Sequence, residues 1–362
     1  MKNSKTPIID FLTEYAASGT ARLHMPGHKG FAPGCIPKAL QEMYRYDITE
    51  IAGADDLFSP EGIIAESEEI ASRIYGAKTF YSCEGSSLAI KAMLYLSLKH
   101  FEGKAADKGS FKPALIVLGK NHKALYHGAE LLNIEVFRAE FPEDELSAKI
   151  KELQAGGFTV IGVYVTYPDY FGNITDLRAI KEAIHPFNIP LLVDGAHAAY
   201  FKFLKGEFAK DYPHPIDCGA DMVCASAHKT LPALTGAAYL HISDSMQDVI
   251  PLAKHAMDIF GSSSPSYLIM ASLDGVNGVA KDFEKSLEGF CKEVKKLKED
   301  IAELGFDIAK SDPMRITVRK SECFNGSDFA NILRKHGCEP ECFAEDYVIL
   351  MLSPYNRAED LI

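Results

Sequence analysis

Short apolar runs alternate with helix-like segments through the middle of this chain, and that alternation restricts the fold more than any other feature. Several of the runs are almost wholly apolar, which is typical of strands buried on both faces of a sheet. Alternating strands and helices favour a mainly parallel sheet with helices on both sides. We therefore predict an α/β domain with strands at Leu115–Leu118, Glu135–Arg138, Val160–Val165, Leu191–Val193, Met222–Ala225 and Ala237–His241. The predicted helices are Ile64–Tyr75, Ser87–Lys99, Lys123–Leu132, Glu145–Gln154 and Leu177–Ile184.

The sequence pattern changes after Pro265. A long helical and increasingly charged segment runs from Ser266 to Leu304, and a second helix is predicted at Asp328–Lys335. Strand-like segments at Met314–Val318 and Tyr347–Leu352 flank that second helix, which predicts a small α+β domain joined by a long helix. The first 59 residues are irregular and rich in Gly and Pro, and we expect them to pack over the large domain. The predicted division is 1–59, 60–265 and 266–362.

Charge and composition exclude several classes of protein. With 38 Lys and Arg against 50 Asp and Glu, the formal net charge is −12, and no basic run is present. Nucleic acids and anionic membranes are therefore not expected partners. The chain has no signal-peptide pattern and no uncharged apolar stretch of about 18 residues, the length of a membrane span. Its eight scattered cysteines are typical of reduced thiols, so we expect a cytoplasmic protein without a bound metal.

Polar side chains follow the predicted strands, and ligands in an open α/β sheet bind beyond the carboxyl ends of its strands. Each of these residues taken alone is ordinary. A Gly-Ser-Ser sequence at a helix start is most often an N-cap, an aspartate after a strand is often a turn residue, and a lysine there is usually solvated. The residues are Gly85-Ser86-Ser87, Asn121-His122, Thr166-Tyr167-Pro168 with Tyr170, Asp194 with His197, and Ser226 with His228 and Lys229.

Together these residues suit one cofactor, pyridoxal 5′-phosphate (PLP). A phosphate binds well to backbone N–H groups and hydroxyls at a helix N-terminus. A protonated pyridine nitrogen pairs with a carboxylate, a flat ring packs on an aromatic side chain, and an aldehyde condenses with an amine. PLP is an electron sink, while the protein sets its orientation and electronics. The sequence therefore predicts a PLP-dependent enzyme in which Lys229 holds the cofactor as a Schiff base.

The same residues carry a resemblance to a known family. The chain resembles the Orn/Lys/Arg decarboxylases, which are fold-type I PLP enzymes, over roughly residues 20 to 275. The combination of the first and sixth segments below is the most specific part of the match. The matching segments are residues 23–30 (LHMPGHKG), 47–50 (DITE) with 55–57 (DDL), 121–123 (NHK), 170–172 (YFG), 193–197 (VDGAH), 226–229 (SAHK) and 264–267 (SPSY).

The resemblance implies a role for each candidate residue. Lys229 would carry the cofactor and later a proton, and Asp194 would pair with the pyridinium nitrogen. His122 would stack on the ring, and His197 would lie near its phenolic oxygen. A homodimer with shared active sites is also implied, with an amino acid as the small-molecule substrate. The phosphate would be held by Gly85, Ser86, Ser87, Ser226 and His228, with Ser264 added from a second subunit.

The chain departs from the family pattern at a few positions. Glu84 stands where an amide is usual and would repel a phosphate unless its carboxylate points away. Leu88 stands where a small residue is usual. The family's decarboxylases usually carry a further C-terminal domain, which this chain, ending at Ile362, does not include.

The expected activity is decarboxylation of a basic amino acid: arginine, lysine or ornithine. A basic side chain needs an acidic pocket, for which Glu50, Asp55 and Asp56 are candidates, although an Asp-Asp pair in a loop is as often a cap. The alternatives are another PLP reaction, such as transamination with Arg315 or Arg319 as carboxylate clamp, or elimination, and a catalytically degenerate protein of the same fold. A nucleotide-binding protein is disfavoured because no glycine-rich phosphate motif follows a strand.

Overall fold

The computed structural model describes residues 5–104, 111–140, 143–320 and 325–361. The chain divides into two compact units, each made of several segments. Unit 1 comprises Met1–Thr166, Asp176–Ala199 and Pro215–Val279, and so includes the N-terminal segment. Unit 2 comprises Tyr167–Thr175, Tyr200–His214 and Ala280–Ile362. The domain boundaries at residues 59 and 265 stay predictions.

Unit 1 is built on a sheet of seven described strands. They are β1 (Lys78–Ser82), β2 (Pro113–Leu118), β3 (Glu135–Ala139), β4 (Thr159–Thr166), β5 (Leu191–Asp194), β6 (Met222–Ala225) and β7 (Ala238–Ile242). Their order across the sheet is β1-β7-β6-β5-β4-β2-β3. Strands β2 to β6 pair in parallel, and β7 pairs antiparallel with both β1 and β6. The predicted mainly parallel sheet is therefore confirmed.

The predicted helices of both units are confirmed to within a few residues. The described α-helices are α1 (Pro7–Ala17), α2 (Lys38–Gln41), α3 (Met43–Tyr46), α4 (Ile63–Tyr75), α5 (Gly85–Glu102), α6 (Lys123–Leu131), α7 (Glu143–Ala155), α8 (Leu177–Ile184), α9 (Gly206–Asp211), α10 (Ala227–Thr230), α11 (Ala253–Phe260), α12 (Tyr267–Glu303) and α13 (Gly326–Lys335). None of these helices, over the residues that the structure describes, is long and apolar enough to cross a bilayer.

The main core lies between one face of the sheet and α5. Apolar residues of α5, including Ile90 and Met93, pack there against Leu115 of β2, Leu192 of β5 and Leu240 of β7. Strands β5 and β6 are buried along their whole length, as expected for central strands of a two-sided sheet. This packing holds the first turn of α5 at the carboxyl ends of the central strands.

Unit 2 contains a small antiparallel sheet of four described strands: β8 (Ile308–Ala309), β9 (Arg315–Arg319), β10 (Cys342–Ala344) and β11 (Tyr347–Met351). Their order is β10-β11-β9-β8. Helix α13 packs on β10 and β11, so the predicted small α+β unit is confirmed.

Strand β1 of unit 1 is absent from the sequence-based prediction. Its five residues (KTFYS) lie between a helix and the Gly-Ser-Ser loop without a long apolar run. The strand forms by antiparallel pairing with β7, a partner that lies far along the chain. Such a strand is specified by its partner rather than by its own pattern.

Candidate active site

The candidate cofactor residues gather at the carboxyl edge of the central strands. Asp194 is the last residue of β5, and Ser226 follows the last residue of the neighbouring strand β6. These two strands are parallel, with Asp194 in register with Cys224, so their ends meet at the same edge. Lys229 lies in the short helix α10 that begins directly after Ser226.

Lys229 and His197 face each other across this edge. The Nζ atom of Lys229 lies 3.3 Å from Nε2 of His197, within hydrogen-bonding distance. The lysine side chain is exposed, whereas His197 is only 7% exposed. An amine that reaches solvent while touching a buried imidazole is accessible to a small molecule and has a group beside it for proton exchange.

The Asp194 carboxylate is buried, with 2% of the residue exposed. Its Oδ1 accepts a hydrogen bond from the backbone N–H of Ala196 at 3.1 Å and one from the Cys224 thiol at 3.5 Å. Both of these donors use Oδ1, and the Tyr164 phenol also lies beside the carboxylate. A buried carboxylate at the sheet edge fits a protonated pyridine nitrogen.

His122 is the N-cap residue of α6, and its Nδ1 accepts a hydrogen bond from the Ala124 N–H at 3.2 Å. Burial lowers the pKa of His122; the charge of Asp194 opposes that shift, and the charge of Lys229 adds to it. These influences show that His122 shares its surroundings with both residues. A lowered pKa favours the neutral imidazole, a flat ring that can stack on another ring.

The start of α5 has the features of a phosphate site. The hydroxyls of Ser86 and Ser226 lie 2.8 Å apart and hydrogen-bond to each other. Each hydroxyl could instead donate its hydrogen bond to a bound anion. Gly85 has a φ of +71°, and its N–H donates to the Gly236 carbonyl at 2.7 Å. Apart from the local backbone, no atom of the residues that the structure describes lies within 4 Å of the position that a Gly85 Cβ would take, which leaves space there. Such a helix N-terminus suits a phosphate.

The other predicted phosphate ligands are placed less closely. Ser87 is exposed in the first turn of α5, and the His228 Nδ1–H donates to the Ala237 carbonyl at 3.0 Å, which leaves Nε2 for another contact. Ser264 is exposed, and its N–H donates to the Ser262 hydroxyl at 3.2 Å. The contribution of Ser264 from a second subunit stays a prediction.

Both departures in the phosphate loop have a structural account. The Glu84 carboxylate accepts a hydrogen bond from the Ser262 N–H at 2.5 Å, so its charge is directed at the 261–264 loop. Leu88 is 5% exposed and packs in the core beneath the sheet. Neither side chain therefore needs to occupy the space beside Gly85.

Several other candidate residues have structural partners. The Asp55 carboxylate accepts backbone N–H bonds at the start of α4, including those of Gly62 and Ile64, both at 2.9 Å. Burial acts to raise the pKa of Asp55, but these hydrogen bonds outweigh it and lower the pKa. Asp56 accepts from the Phe58 N–H at 2.8 Å. Both carboxylates therefore hold backbone N–H groups, and only Asp55 does so at the start of a helix.

The two candidate ligands for a substrate carboxylate, Arg315 and Arg319, also have partners within the protein. Arg315 is 1% exposed, and its Nη1 donates to the carbonyls of Asp169 and Tyr170 at 2.7 and 2.6 Å. Arg319 forms an exposed ion pair with Asp307 at 3.4 Å. A guanidinium sealed inside unit 2 has no surface to offer a substrate.

Two buried residues beside Asp194, Tyr164 and Cys224, are absent from the sequence-based prediction. Both read as ordinary core positions within apolar strands. The signal that could have found them is strand register, since Cys224 is the direct partner of Asp194 across the sheet and Tyr164 lies on the neighbouring strand.

The chain matches the family model described as Orn/Lys/Arg decarboxylase, major domain, over residues 6–325. It is 30% identical to the uncharacterised Bacillus subtilis protein YaaO, covering 96% of this chain and 74% of YaaO. It is 27% identical to an arginine decarboxylase of Bacillus cereus over 76% of this chain and 59% of that protein. The chain thus spans less than two thirds of the decarboxylase.

Among solved structures, the lysine decarboxylase LdcF of Francisella novicida has the same fold, with a TM-score of 0.80 at 16% identity. The superposition covers 98% of this chain and 58% of LdcF. The fold is that of the fold-type I PLP enzymes. With a family model matched over most of its length, the chain belongs to the Orn/Lys/Arg decarboxylase family.

Proposed function

We propose that this protein binds PLP at Lys229 and decarboxylates a basic amino acid: arginine, lysine or ornithine. The observation that carries the proposal is the 3.3 Å approach of Lys229 Nζ to His197 Nε2 at the sheet edge where Asp194 ends β5. An amine, an imidazole and a buried carboxylate at one edge are the groups that a PLP enzyme needs. Family membership supports the reaction type.

The side chains divide the work of this reaction. When bound, PLP supplies a sink for the electrons that departing CO₂ leaves behind. Asp194 would hold a proton at the ring nitrogen, and the Ser86 and Ser226 hydroxyls with the first turn of α5 would bind the phosphate. Lys229 would provide the amine that anchors the cofactor. Lys229 or His197 would deliver a proton to the substrate α-carbon.

Glu50 is the best remaining candidate for recognising a basic side chain. Of the three acidic candidates, Asp55 and Asp56 already accept hydrogen bonds from backbone N–H groups. The Glu50 side chain is exposed. Burial is the main cause of the raised pKa of Tyr267, and the charge of Glu50 is the next, which places these two residues near each other. A carboxylate at the edge of a site attracts an ammonium or guanidinium group.

Amine formation tests the proposal directly. Purified protein is incubated with PLP and, separately, with arginine, lysine and ornithine, and the amine and CO₂ are quantified. We expect one of the three to yield both products, and the Lys229→Ala variant to yield neither. Bound PLP without amine from any of the three would contradict decarboxylation. Formation of an oxo acid in that case would identify an aminotransferase.

A further inference from the structure

Three side chains lie together under the edge of the central sheet. Asp194 of β5 is in register with Cys224 of β6, so their side chains share a face of the sheet. Leu192, two residues before Asp194, is in register with Tyr164 of β4 and points to the same face. Tyr164, Leu192 and Cys224 belong to the cluster that packs against α5.

We propose that Tyr164 and Cys224 are positioning residues that hold the Asp194 carboxylate for the pyridine nitrogen of the cofactor. This inference rests on the proposed function. The two residues contact Asp194 from the core side, and the cofactor would approach it from the sheet edge. Their effect on the reaction therefore passes through Asp194.

The contact with Cys224 is direct. Its Sγ lies 3.5 Å from Asp194 Oδ1, the same oxygen that accepts the Ala196 N–H. The Cys224 thiol is fully buried, and burial, followed by the charge of Asp194, raises its pKa. The sulfur therefore keeps its proton and acts as a donor. The Cys224 thiol and the Ala196 N–H therefore both hold Oδ1, which fixes the orientation of the carboxylate.

Tyr164 supplies a second buried donor. Its hydroxyl is fully buried, and no hydrogen bond of full geometry joins it to a residue that the structure describes. Burial raises the pKa of Tyr164, and the charge of Asp194 and a side-chain hydrogen-bond interaction with Asp194 raise it further, which places the phenol beside that carboxylate. A buried hydroxyl without a partner costs free energy, so a phenylalanine would serve the core better. The hydroxyl is accounted for if it donates to Asp194 in the loaded enzyme.

Cofactor binding, rather than activity, tests the inference. The variants Tyr164→Phe, Cys224→Ala and Cys224→Ser are titrated with PLP, and affinity is measured from the absorbance of the bound cofactor. We expect Tyr164→Phe and Cys224→Ala each to weaken PLP binding by about 3- to 10-fold, the worth of one hydrogen bond. They should also displace the pH midpoint of the cofactor absorbance. The Cys224→Ser variant should retain the affinity and the midpoint of the unmodified protein, because a serine hydroxyl can donate.

Tyr239→Phe is the matched control. Tyr239 is also fully buried on a strand of the same sheet, and its hydroxyl likewise makes no hydrogen bond with a described residue. Its ring packs on Tyr75 and Tyr81, and its pKa is raised by burial and then by Asp274 rather than by Asp194. This variant should bind PLP as the unmodified protein does.

The outcomes separate the inference from the proposed function. If the unmodified protein binds PLP and the Tyr164→Phe and Cys224→Ala variants match it in affinity and in pH midpoint, the inference is overturned while the proposed function stands. If the unmodified protein gives no cofactor absorbance at all, both are overturned. If Tyr239→Phe weakens PLP binding as much as Tyr164→Phe does, the loss of affinity comes from general disruption of the core. That outcome would also overturn the inference.

Discussion

The residues of the candidate site differ sharply in their exposure, and their chemistry follows from it. Asp194 is buried and held by fixed donors, which suits a charge that stays in place. Lys229 is exposed, which suits an amine that must meet molecules from solution. His197 lies between these extremes, buried yet touching the amine. Burial thus distinguishes the Asp194 carboxylate, which is held in place, from the Lys229 amine, which solvent molecules can reach.

His122 caps α6, and we propose that its ring also stacks on the cofactor. His122→Asn keeps a capping acceptor for the Ala124 N–H but removes the ring, and His122→Phe does the reverse. We expect His122→Asn to bind PLP about 3- to 10-fold more weakly because stacking is lost, while His122→Phe retains binding. The His122→Phe variant should instead lose about 1 kcal/mol of stability with the cap. Titration with PLP and urea unfolding measure the two effects, and equal PLP affinity in His122→Asn and the unmodified protein would rule out stacking.

Glu50 should affect substrate recognition and not the chemical step. Replacing Glu50 by Gln removes the carboxylate charge proposed to attract the substrate side chain, so we expect KM for the basic substrate to rise about 5-fold with kcat unchanged. Glu61, another exposed glutamate of unit 1, provides the control, since Glu61→Gln should leave KM as it is. Steady-state kinetics on both variants decide the matter, and an unaltered KM in Glu50→Gln would remove Glu50 from the pocket.

At the scale of elements, helix α1 is attached to α12 through one buried carboxylate. Oδ2 of Asp274 accepts the N–H groups of Ile8 and Ile9, both at 3.0 Å, and Oδ1 accepts the Ser67 hydroxyl at 2.5 Å. These two N–H groups belong to the first turn of α1 and would otherwise lack partners. Asp274 therefore acts as a remote N-cap that attaches the N-terminal segment to unit 1.

Asp274 should make stability depend on pH. Burial raises the pKa of Asp274 to about 6, against the hydrogen bonds of Ser67, Ile9 and Ile8, whereas the unfolded value is about 4. Between these values the folded protein holds a proton that the unfolded chain has lost, so the Asp274 contribution falls as pH rises from about 4 to 6. Asp274→Asn should flatten this part of the pH profile and cost about 1–3 kcal/mol, because an amide oxygen in place of Oδ2 keeps both N–H groups but leaves the Ser67 hydroxyl facing an N–H donor instead of an acceptor.

Urea unfolding at several pH values measures this effect. The control is Asp282→Asn, which changes an exposed aspartate of the same helix and should leave the profile intact. Identical slopes for Asp274→Asn and the unmodified protein over that pH range would show that Asp274 does not retain the proton.

At the scale of the whole molecule, the N-terminal segment leaves large apolar side chains in solvent. Leu23 is 95% exposed, Phe31 79% and Met25 69%, and Leu40 and Met43 are also exposed. Several exposed apolar residues within one segment are typical of a surface that binds another protein. This surface supports the proposed homodimer, whose partner would be a second copy of the chain.

Charges on that surface should shift the assembly state. We expect the unmodified protein to sediment as a dimer, and Leu23→Asp combined with Phe31→Asp to produce monomers, because burying two carboxylates is costly. Leu304 is 77% exposed in unit 2 and serves as the control, since Leu304→Asp should remain dimeric. Sedimentation velocity distinguishes the species, and a dimer that persists in the double variant would place the interface elsewhere.

Local patterns in the sequence determined most of the elements of this protein and the residue types at its candidate site. The alternation of apolar strands and helices predicts β2 to β7 in their order along the chain. The polar residues at the ends of β5 and β6 predict a carboxylate, Asp194, and an amine, Lys229, at one edge of the sheet. These predictions succeed because side-chain periodicity and strand ends are properties of short segments. The same patterns predict that Lys229 binds PLP, which titration with PLP tests.

Only the tertiary structure decided which polar groups are available. Arg315 resembles a substrate ligand in the sequence, but backbone carbonyls 145 and 146 residues away accept its hydrogen bonds. Tyr164 and Cys224 look like core residues, yet strand register puts both beside Asp194. Such partners lie far apart along the chain, and their meeting depends on how strands pair and helices pack, which no local pattern contains.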